Sequence, residues 1–250
     1  MILQIDVGNT QTKWRVMDGV NIASRGSQLT DSLIGGPLNL PNVSSLTGAR
    51  LCSVAAAQST NLIKQQLAEA YGVTLQIAKV SEQAGGVSCG YDHLSTLGVD
   101  RWLAIVAAYR CYRRAVLIVD VGSAMTLDLV SPEGAHVGGY ILPGLRLMRD
   151  ALWRGTAKVR PTQDLGPLES IETINMLVPG TLTADAVSRG CLLAAVAIVE
   201  KIASTYPVTV VITGGDGEVL IEALSLKTDY KPDLVLDGLA VEDIALVTGE

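Results

Sequence analysis

The chain has 250 residues, of which 48% are hydrophobic and only 18% are charged, and its formal net charge is −6. This composition supplies enough apolar material for a sizeable core and excludes general disorder. The negative charge argues against nucleic acid as a partner, because binding to phosphate backbones needs a basic surface.

The first half of the chain opens with a predicted β-hairpin at residues 3–16, in which two apolar strands flank the turn that runs from Asp6 to Thr10. Strand-like runs follow, and then a helix whose apolar residues share one face and which ends at Gly72. The elements predicted after the hairpin are strands at 20–26 and 50–54, a helix at 59–71, a strand at 73–78 and a helix at 100–114.

The second half repeats this opening with a predicted hairpin at residues 117–130. The residue pairs that match at a constant offset are Asp6 with Asp120, Gly8 with Gly122, Thr12 with Thr126, and Val16 with Val130. The elements predicted after this hairpin are a strand at 135–142, a helix after Pro143, a long helix at 183–204, a strand at 208–213 and a final helix, strand and helix.

Strands that alternate with helices behind two similar hairpins predict an α/β fold with mixed central sheets. We place one domain at residues 1–115 and a second at 116–250, with a nucleotide cleft between them. Two stretches rich in proline and glycine, at 28–48 and 156–180, are interpreted as loops.

Cysteine use indicates the cellular compartment. Cys52, Cys89, Cys111 and Cys191 have no Cys-x-x-Cys spacing, and only two histidines are present. The pattern fits neither a disulfide framework nor a zinc site, so we expect small buried thiols in a reducing compartment.

The sequence has no signal-peptide pattern and no apolar run near the roughly 20 residues that span a bilayer. A cytoplasmic protein with no membrane segment is therefore expected.

The two hairpin tips carry residue types that suit a polyphosphate. Glycine lets the main chain approach phosphate oxygens, and hydroxyl and amide side chains add donors. The candidate phosphate-binding residues are Gly8, Asn9, Thr10, Gly122, Ser123 and Thr126. Lys13 lies close enough to neutralise phosphate charge, although a solvated lysine is an equally good interpretation. Asp6 ends its strand at a place suited to Mg²⁺, which takes one or two carboxylates together with nucleotide oxygens.

Three further positions are candidates for nucleotide or acceptor binding. Gly214 and Gly215 follow a predicted strand, where a turn of small residues allows close approach of a ligand. Asp100 lies in the first turn of a helix that we expect to be amphipathic, and can serve as the base that phosphoryl transfer requires. Arg101 suits a substrate carboxylate. Ordinary helix capping and a solvated arginine explain Asp100 and Arg101 equally well. Thr183, before the long helix, is a predicted N-cap whose hydroxyl can also contact a ligand.

These motifs together resemble the type III pantothenate kinases, in order and spacing and over nearly the whole chain. The motifs that carry the resemblance are Asp6-Val-Gly-Asn-Thr10, Gly98-Val-Asp-Arg101, Asp120-Val-Gly-Ser-Ala-Met-Thr126, Gly138-Gly-Tyr-Ile-Leu-Pro-Gly144 and Gly214-Gly-Asp216. The family belongs to the acetate and sugar kinase, heat-shock chaperone and actin superfamily. The resemblance therefore implies duplicated ribonuclease H-like domains.

The resemblance also implies a reaction, phosphorylation of pantothenate by ATP in the first step of coenzyme A synthesis, carried out by a homodimer. Asp6 would hold Mg²⁺, and Asp120 would help to hold a monovalent cation, K⁺ or NH₄⁺. Asp100 would be the base. The residues implied in pantothenate binding are Tyr91, Gly98, Asp100, Arg101 and Thr183, of which Thr183 would act within its own chain or across the dimer. Gly214 and Gly215 would lie against adenosine.

Two departures from the family pattern leave the proposed base and metal carboxylates unchanged. Ser123 stands where threonine is usual, and Leu182 replaces an asparagine before Thr183, which leaves an amide contact there in doubt. Two other functions stay open. A sugar or acyl kinase of the same superfamily would share the hairpins, and a non-catalytic nucleotide-binding regulator would keep the fold.

Overall fold

The computed structural model describes residues 1–40, 43, 46–155 and 178–248. The chain forms two compact units. Unit 1 comprises residues 1–111, 134–136 and 233–250, and unit 2 comprises residues 112–133 and 137–232. The division of the chain into domains at residue 115 stays a prediction, and these units add that residues 134–136 and the C-terminal segment group with the first half.

Unit 1 is built on a six-stranded mixed sheet in the order β13-β5-β4-β1-β2-β3. Its strands are β1 (Ile2–Val7), β2 (Gln11–Asp18), β3 (Asn21–Leu29), β4 (Gly48–Ser53), β5 (Leu75–Ala78) and β13 (Leu246–Thr248), with a separate hairpin of β6 (Gln83–Ala84) and β7 (Val87–Ser88). Its helices are α1 (Ser32–Gly35), α2 (Ala57–Tyr71), α3 (Val99–Tyr112) and α7 (Leu234–Leu239), with a 3-10 turn at Leu94–Thr96.

Unit 2 is built on a five-stranded sheet in the order β10-β9-β8-β11-β12. Its strands are β8 (Val116–Val121), β9 (Ala124–Val130), β10 (His136–Pro143), β11 (Thr209–Thr213) and β12 (Thr228–Tyr230). Its helices are α4 (Leu145–Gly155), α5 (Thr183–Thr205) and α6 (Gly217–Ala223).

The two sheets confirm the predicted duplication. The sheet of unit 1 contains the order β3-β2-β1-β4-β5, with β13 added at its edge, and the sheet of unit 2 has the order β10-β9-β8-β11-β12. Counted within its own unit, each sheet therefore has the strand order 3-2-1-4-5. The first two strands pair antiparallel, and the first and fourth pair parallel. Alternate residues of the first strand face the core in both units, as Ile5 and Val119 illustrate with 0% exposure.

The residue pairs that the sequence matched at a constant offset are correct on the first strand of each hairpin and wrong on the second. Asp6 pairs with Lys13 across the first hairpin, whereas Asp120 pairs with Thr126 across the second. The first turn is therefore one residue longer, and Lys13, not Thr12, occupies the position of Thr126. Burial agrees, because Thr12 and Met125 are both fully buried at equivalent positions of β2 and β9. The match of Val16 with Val130 shifts by the same one residue.

Most predicted elements are confirmed to within two residues, and Gly72 ends α2 in the left-handed conformation with φ of +64°. The predictions that missed are α1 within the 28–48 loop, the β6–β7 hairpin and the last strand β13. The predicted loop at 156–180 lies outside the described residues except for its end. Cys52 and Cys191 are buried as predicted, but Cys111 is exposed at the end of α3.

The prediction that α3 is amphipathic is wrong, since every residue from Arg101 to Tyr109 is buried. Glycines allow neighbouring segments to approach it closely. A Cβ on Gly85 would lie 2.5 Å from Val106 Cγ1, and a Cβ on Gly238 would lie 2.4 Å from the carbonyl oxygen of Leu103. The β6–β7 hairpin and α7 therefore cover faces of α3 that the sequence pattern assigned to solvent.

Candidate active site

The hairpin tip of unit 1 is held by a threonine from the end of β3. Thr30 Oγ1 donates to the Gly8 carbonyl over 2.8 Å and lies 3.0 Å from Thr12 Oγ1, while its backbone N–H donates to the Thr10 carbonyl over 2.9 Å. Across the turn, the Gly8 N–H donates to the Gln11 carbonyl over 3.1 Å. The main chain of the tip is therefore fixed on both sides.

The outer part of this tip is open to solvent. Asn9 and Thr10 are exposed, and Lys13 is half-buried on β2 directly across from Asp6. This tip therefore presents an amide, a hydroxyl and an ammonium group around one carboxylate, a set of groups that suits phosphate oxygens.

Asp6 also has a buried thiol beside it. Cys52 of β4 is the parallel-strand partner of Asp6 and is 0% exposed. Burial raises the pKa of the Cys52 thiol well above its ordinary value, and the charges of Asp6 and Asp100 and a side-chain hydrogen bond with Asp6 raise it further. The charges of both carboxylates therefore act on the same buried thiol.

Asp100 lies in the first turn of α3, where the helix dipole favours a negative charge. Its Oδ1 accepts a hydrogen bond of 2.8 Å from the backbone N–H of Arg101. A Cβ on Gly98 would lie 2.6 Å from the same oxygen, so glycine leaves room for this carboxylate conformation. The Gly98-Val-Asp-Arg101 sequence thus fixes the orientation of the candidate base.

Arg101 is not a solvated surface residue, because it is only 7% exposed. Its Nη1 donates to the Tyr91 hydroxyl over 2.9 Å, and its guanidinium carbon lies 5.5 Å from the centre of the Tyr91 ring. The Tyr91 ring stacks on His136, with centroids 5.7 Å apart and planes at 8°. Three of the predicted acceptor-binding residues, Tyr91, Asp100 and Arg101, are therefore brought together with a histidine that the sequence did not indicate.

The hairpin tip of unit 2 is packed against the start of α4. The Gly122 N–H donates to the Ala124 carbonyl over 3.0 Å, and the Gly144 N–H donates to the Ser123 carbonyl over 3.0 Å. A Cβ on Gly144 would lie 2.1 Å from the Gly122 carbonyl oxygen, so only glycine fits here. This contact gives a physical role to the end of the Gly138–Gly144 motif.

The turn after β11 approaches the carboxylate of the same tip. Gly214 has φ of +94°, and a Cβ there would lie 2.5 Å from Asp120 Oδ1 and from the backbone of Val121. The Asp216 N–H donates to the Val121 carbonyl over 3.0 Å, while nothing lies within 4 Å of the Cβ position of Gly215. Unit 2 therefore gathers the predicted residues Asp120, Gly214 and Gly215 into one surface.

Thr183 differs from the other predicted site residues. It is exposed and is the first residue of α5. The prediction that it is the N-cap is wrong, because Leu182 occupies that position and no side chain caps the helix. Within the described part of the chain, no side-chain hydrogen bond links Thr183 to the other predicted site residues.

Sequence reasoning missed several residues that shape these surfaces. Thr30, Cys52 and His136 stand in segments with no turn or motif signal, so only the folded chain shows what they touch. Arg146 was also missed, and its Nη2 lies 3.2 Å from Asp216 Oδ1. Gly144 belongs to the Gly138–Gly144 motif, but its contact with the tip of unit 2 was not predicted. The available signal was a glycine that follows a proline at the start of a helix.

The carboxylates at the two tips have surroundings that fit the cations implied by the resemblance, Mg²⁺ at Asp6 and a monovalent cation at Asp120. Within the described residues, no group of three or more His, Cys, Asp or Glu side chains is arranged to hold a metal. Asp6 offers one carboxylate at the end of a strand, which fits a Mg²⁺ that takes its other ligands from nucleotide and water. Asp120 offers a carboxylate surrounded by main-chain groups, and oxygen ligands of this kind suit a hard cation. Among the described helices, none is long and apolar enough to cross a bilayer.

Comparison with known proteins decides the family. The family model for type III pantothenate kinase matches residues 2–205. A protein of Pseudomonas fluorescens named type III pantothenate kinase is 37% identical, over 96% of this chain and 98% of its own length. Proteins of the same name from Pseudomonas aeruginosa and Pseudomonas syringae are 36% and 38% identical over the same shares. This chain belongs to the type III pantothenate kinase family.

Solved structures place the chain in a wider fold group. A Campylobacter jejuni protein whose description names the Baf family of transcriptional activators has a TM-score of 0.61 at 20% identity, over 95% of both chains. A Sinorhizobium meliloti protein whose description names 2-dehydro-3-deoxygalactonokinase has a TM-score of 0.55 at 14% identity, over 96% of this chain and 97% of its own. At these identities the likeness shows the fold alone, which is the sugar kinase and actin-like α/β fold with two mixed sheets.

Proposed function

We propose that this protein transfers the γ-phosphoryl group of ATP to the hydroxyl of pantothenate, giving 4'-phosphopantothenate in the first step of coenzyme A biosynthesis. The observation that carries the proposal is the buried Arg101, which Tyr91 holds beside Asp100. The charges of Asp100 and of Asp6 also act together on the pKa of the Cys52 thiol. A carboxylate that can hold a cation, a base and a guanidinium for the substrate carboxylate together suit phosphorylation of a hydroxy acid. Family membership supports the same substrate.

The proposed nucleotide-binding groups occur on the tip of each unit. In unit 1, the main chain at Gly8 and the side chains of Asn9, Thr10 and Lys13 approach phosphate oxygens, because Thr30 holds the turn in place. In unit 2, the side-chain hydroxyls of Ser123 and Thr126 supply the corresponding donors, and Gly122 lets the main chain approach the phosphates. Gly215 leaves space for the flat adenosine group, since nothing lies within 4 Å of its Cβ position, and Gly214 is proposed to line the same group with its main chain.

Asp6 is the proposed Mg²⁺ ligand, and Asp120 is the proposed ligand for a monovalent cation, K⁺ or NH₄⁺. When bound, these cations neutralise the charge that develops on the transferred phosphoryl group and its leaving oxygen. The residues of the chain hold the carboxylates in place. Cys52 hydrogen-bonds Asp6, and the Gly214 main chain passes close to Asp120.

Asp100 is the proposed catalytic base. It accepts the proton of the pantothenate hydroxyl as that oxygen attacks the γ-phosphorus. Arg101, held by Tyr91, binds the pantothenate carboxylate, and Gly98 keeps the backbone near the acceptor open. Thr183 is proposed to contact pantothenate from its own chain or from a second copy.

We also propose a cytoplasmic homodimer. Five large apolar side chains of β10 and α4 in unit 2 are exposed, namely Val137, Tyr140, Ile141, Leu147 and Leu152. Exposed apolar groups in neighbouring elements support an interface with a second copy. Sedimentation velocity tests this proposal. A dimer that the substitution Leu147→Glu converts to monomer supports it, and a monomeric wild-type protein rejects it.

The test of the function is ADP release by the purified protein with Mg²⁺-ATP and K⁺, measured with pantothenate, glucose and acetate as separate acceptors. Release that depends on pantothenate and falls when Na⁺ replaces K⁺ is the expected result. Release with a sugar or acetate alone would move the activity to another kinase of the superfamily. Nucleotide binding without turnover on any acceptor would indicate a regulator and reject the proposal.

A further inference from the structure

A three-residue segment from the connection between β9 and β10 packs against the β6–β7 hairpin in unit 1. The Ser88 N–H donates to the Gly134 carbonyl over 2.9 Å, and Ser88 and Ala135 form a parallel β-bridge. Gly134 has φ of +88°, and a Cβ there would lie 2.3 Å from the Gly86 carbonyl oxygen. Such close main-chain packing fixes the position of the residue that follows Ala135 in the chain.

That residue is His136, which is only 2% exposed. Its ring stacks nearly parallel on Tyr91, with the centroids 5.7 Å apart. Tyr91 in turn accepts the hydrogen bond from Arg101 Nη1, and its ring lies 5.5 Å from the Arg101 guanidinium carbon. The three side chains form a continuous stack from the anchored segment to the candidate carboxylate-binding group.

The stack restricts the motion of a side chain that would otherwise be mobile. An arginine side chain has many rotamers, and a guanidinium binds a carboxylate well only when its plane is oriented for two parallel hydrogen bonds. Stacked aromatic pairs stabilise each other beyond the effect of their buried area, and a guanidinium over an aromatic ring is attracted to the ring as well. The imidazole therefore holds Tyr91, and Tyr91 holds Arg101.

We propose that His136 is a positioning residue for the acceptor, which stacks on Tyr91 and so orients Arg101 toward the substrate carboxylate. The inference rests on the proposed function, since it takes Arg101 as the group that binds the carboxylate of pantothenate. His136 belongs to the second half of the sequence, yet it acts on acceptor-binding residues of the first half. It should affect the acceptor and leave the nucleotide unaffected, because its contacts in the stack lead to Arg101.

The first test compares three variants by steady-state kinetics in both substrates. His136→Leu removes the ring at similar volume, and His136→Phe restores a ring. His93→Leu is the control, because His93 is exposed and is the other histidine of the chain. His136→Leu is expected to raise KM for pantothenate about three- to tenfold, as loss of one stacked pair predicts. KM for ATP and kcat should stay within about twofold of wild type. His136→Phe should recover most of the loss, and His93→Leu should behave as wild type.

The second test uses the wild-type protein and stays informative if His136→Leu does not fold. With only two histidines, the ring carbon–proton NMR signals of His136 and His93 can be assigned from the His93→Leu spectrum. Saturating pantothenate is expected to shift the His136 signal and leave that of His93 in place. An unmoved His136 signal would overturn the inference, as would equal rises of both KM values or a His136→Leu enzyme with wild-type kinetics. A wild-type protein that does not turn over pantothenate would reject the proposed function itself.

Discussion

The hairpin tips of the two units share their architecture but differ in the residues around the carboxylate. Asp6 and Asp120 both end the first strand of a sheet and both precede a Val-Gly turn. Across the hairpin, Asp6 faces Lys13 and Asp120 faces Thr126, because the first turn is one residue longer. The duplicated tips therefore share the carboxylate but differ in its cross-strand neighbour, which is cationic in unit 1 and neutral in unit 2.

The parallel-strand neighbours differ as well. Asp6 lies beside the buried thiol of Cys52, whereas Asp120 pairs with Thr213 and is approached by the main chain at Gly214. Asp6 therefore has a side-chain donor beside it, whereas Asp120 has closely packed backbone beside it. The two carboxylates occupy equivalent strand positions, so these surroundings are where the proposed cation roles of the two tips would differ.

The largest effect that distinguishes the tips is expected from Asp6→Asn and Asp120→Asn. Asp6→Asn should lower kcat/KM roughly 100-fold and raise the Mg²⁺ concentration for half-maximal rate, because it removes a ligand charge at the transferred group. Asp120→Asn should instead raise the K⁺ concentration required. Rates measured over a matrix of Mg²⁺ and K⁺ concentrations check this. Identical shifts in both variants would show that the tips have not diverged in role.

A smaller effect concerns the turn after β11, which approaches the tip of unit 2. Gly214→Ala should lower the free energy of unfolding by about 1–3 kcal/mol, because its φ of +94° and its contact with Asp120 exclude a Cβ. Gly215→Ala is the matched control, since its Cβ position is open. Urea unfolding measures both variants. Equal stability of the two alanine variants would contradict the described packing of the turn.

The first tip depends on a hydroxyl. Thr30→Val keeps the shape of the side chain but removes the hydrogen bond to the Gly8 carbonyl, at a cost of about 1 kcal/mol in unfolding free energy. Thr30→Ser keeps the hydroxyl and should retain most of the stability. Chemical denaturation of both variants, with KM for ATP measured in parallel, tests the contact. A valine variant as stable as the serine variant would remove Thr30 from the account of the tip.

The smallest expected effect is a pH dependence from Cys52. Because its pKa is raised in the folded protein, the thiol stays neutral there while the unfolded chain loses the proton above about pH 8.5. Its contribution to stability is thus complete below that pH and falls as the pH rises toward the folded-state pKa. Unfolding free energies between pH 7 and 10 should fall less steeply for Cys52→Ala than for wild type. Cys111→Ala, at an exposed thiol, should keep the wild-type slope.

Local sequence signals predicted the elements and one carboxylate per tip, because strands, turns and helix starts depend on neighbouring residues. The Asp-x-Gly turns and the start of α3 at Asp100 were found for that reason. The one-residue difference between the turns was not found, because an ungapped comparison conceals a shift that only strand pairing reveals.

Residues that act through distant contacts were missed. His136 lies 45 positions from Tyr91 in the sequence and Cys52 lies 46 positions from Asp6, so no periodic pattern connects either pair. The burial of α3 was also missed, because the segments that cover it come from 85–86 and 234–239. Tertiary packing of this kind overrides the amphipathic pattern of an isolated helix.

The central claim, that Asp100 accepts the proton of the pantothenate hydroxyl, is tested most directly by a single-turnover measurement on Asp100→Asn. The variant and wild type are mixed in excess over labelled ATP with pantothenate, and labelled phosphopantothenate is followed in time. The account predicts transfer at least about 100-fold slower in the variant, with ATP and pantothenate bound as in wild type. Transfer at the wild-type rate would contradict the assignment of Asp100 as the base.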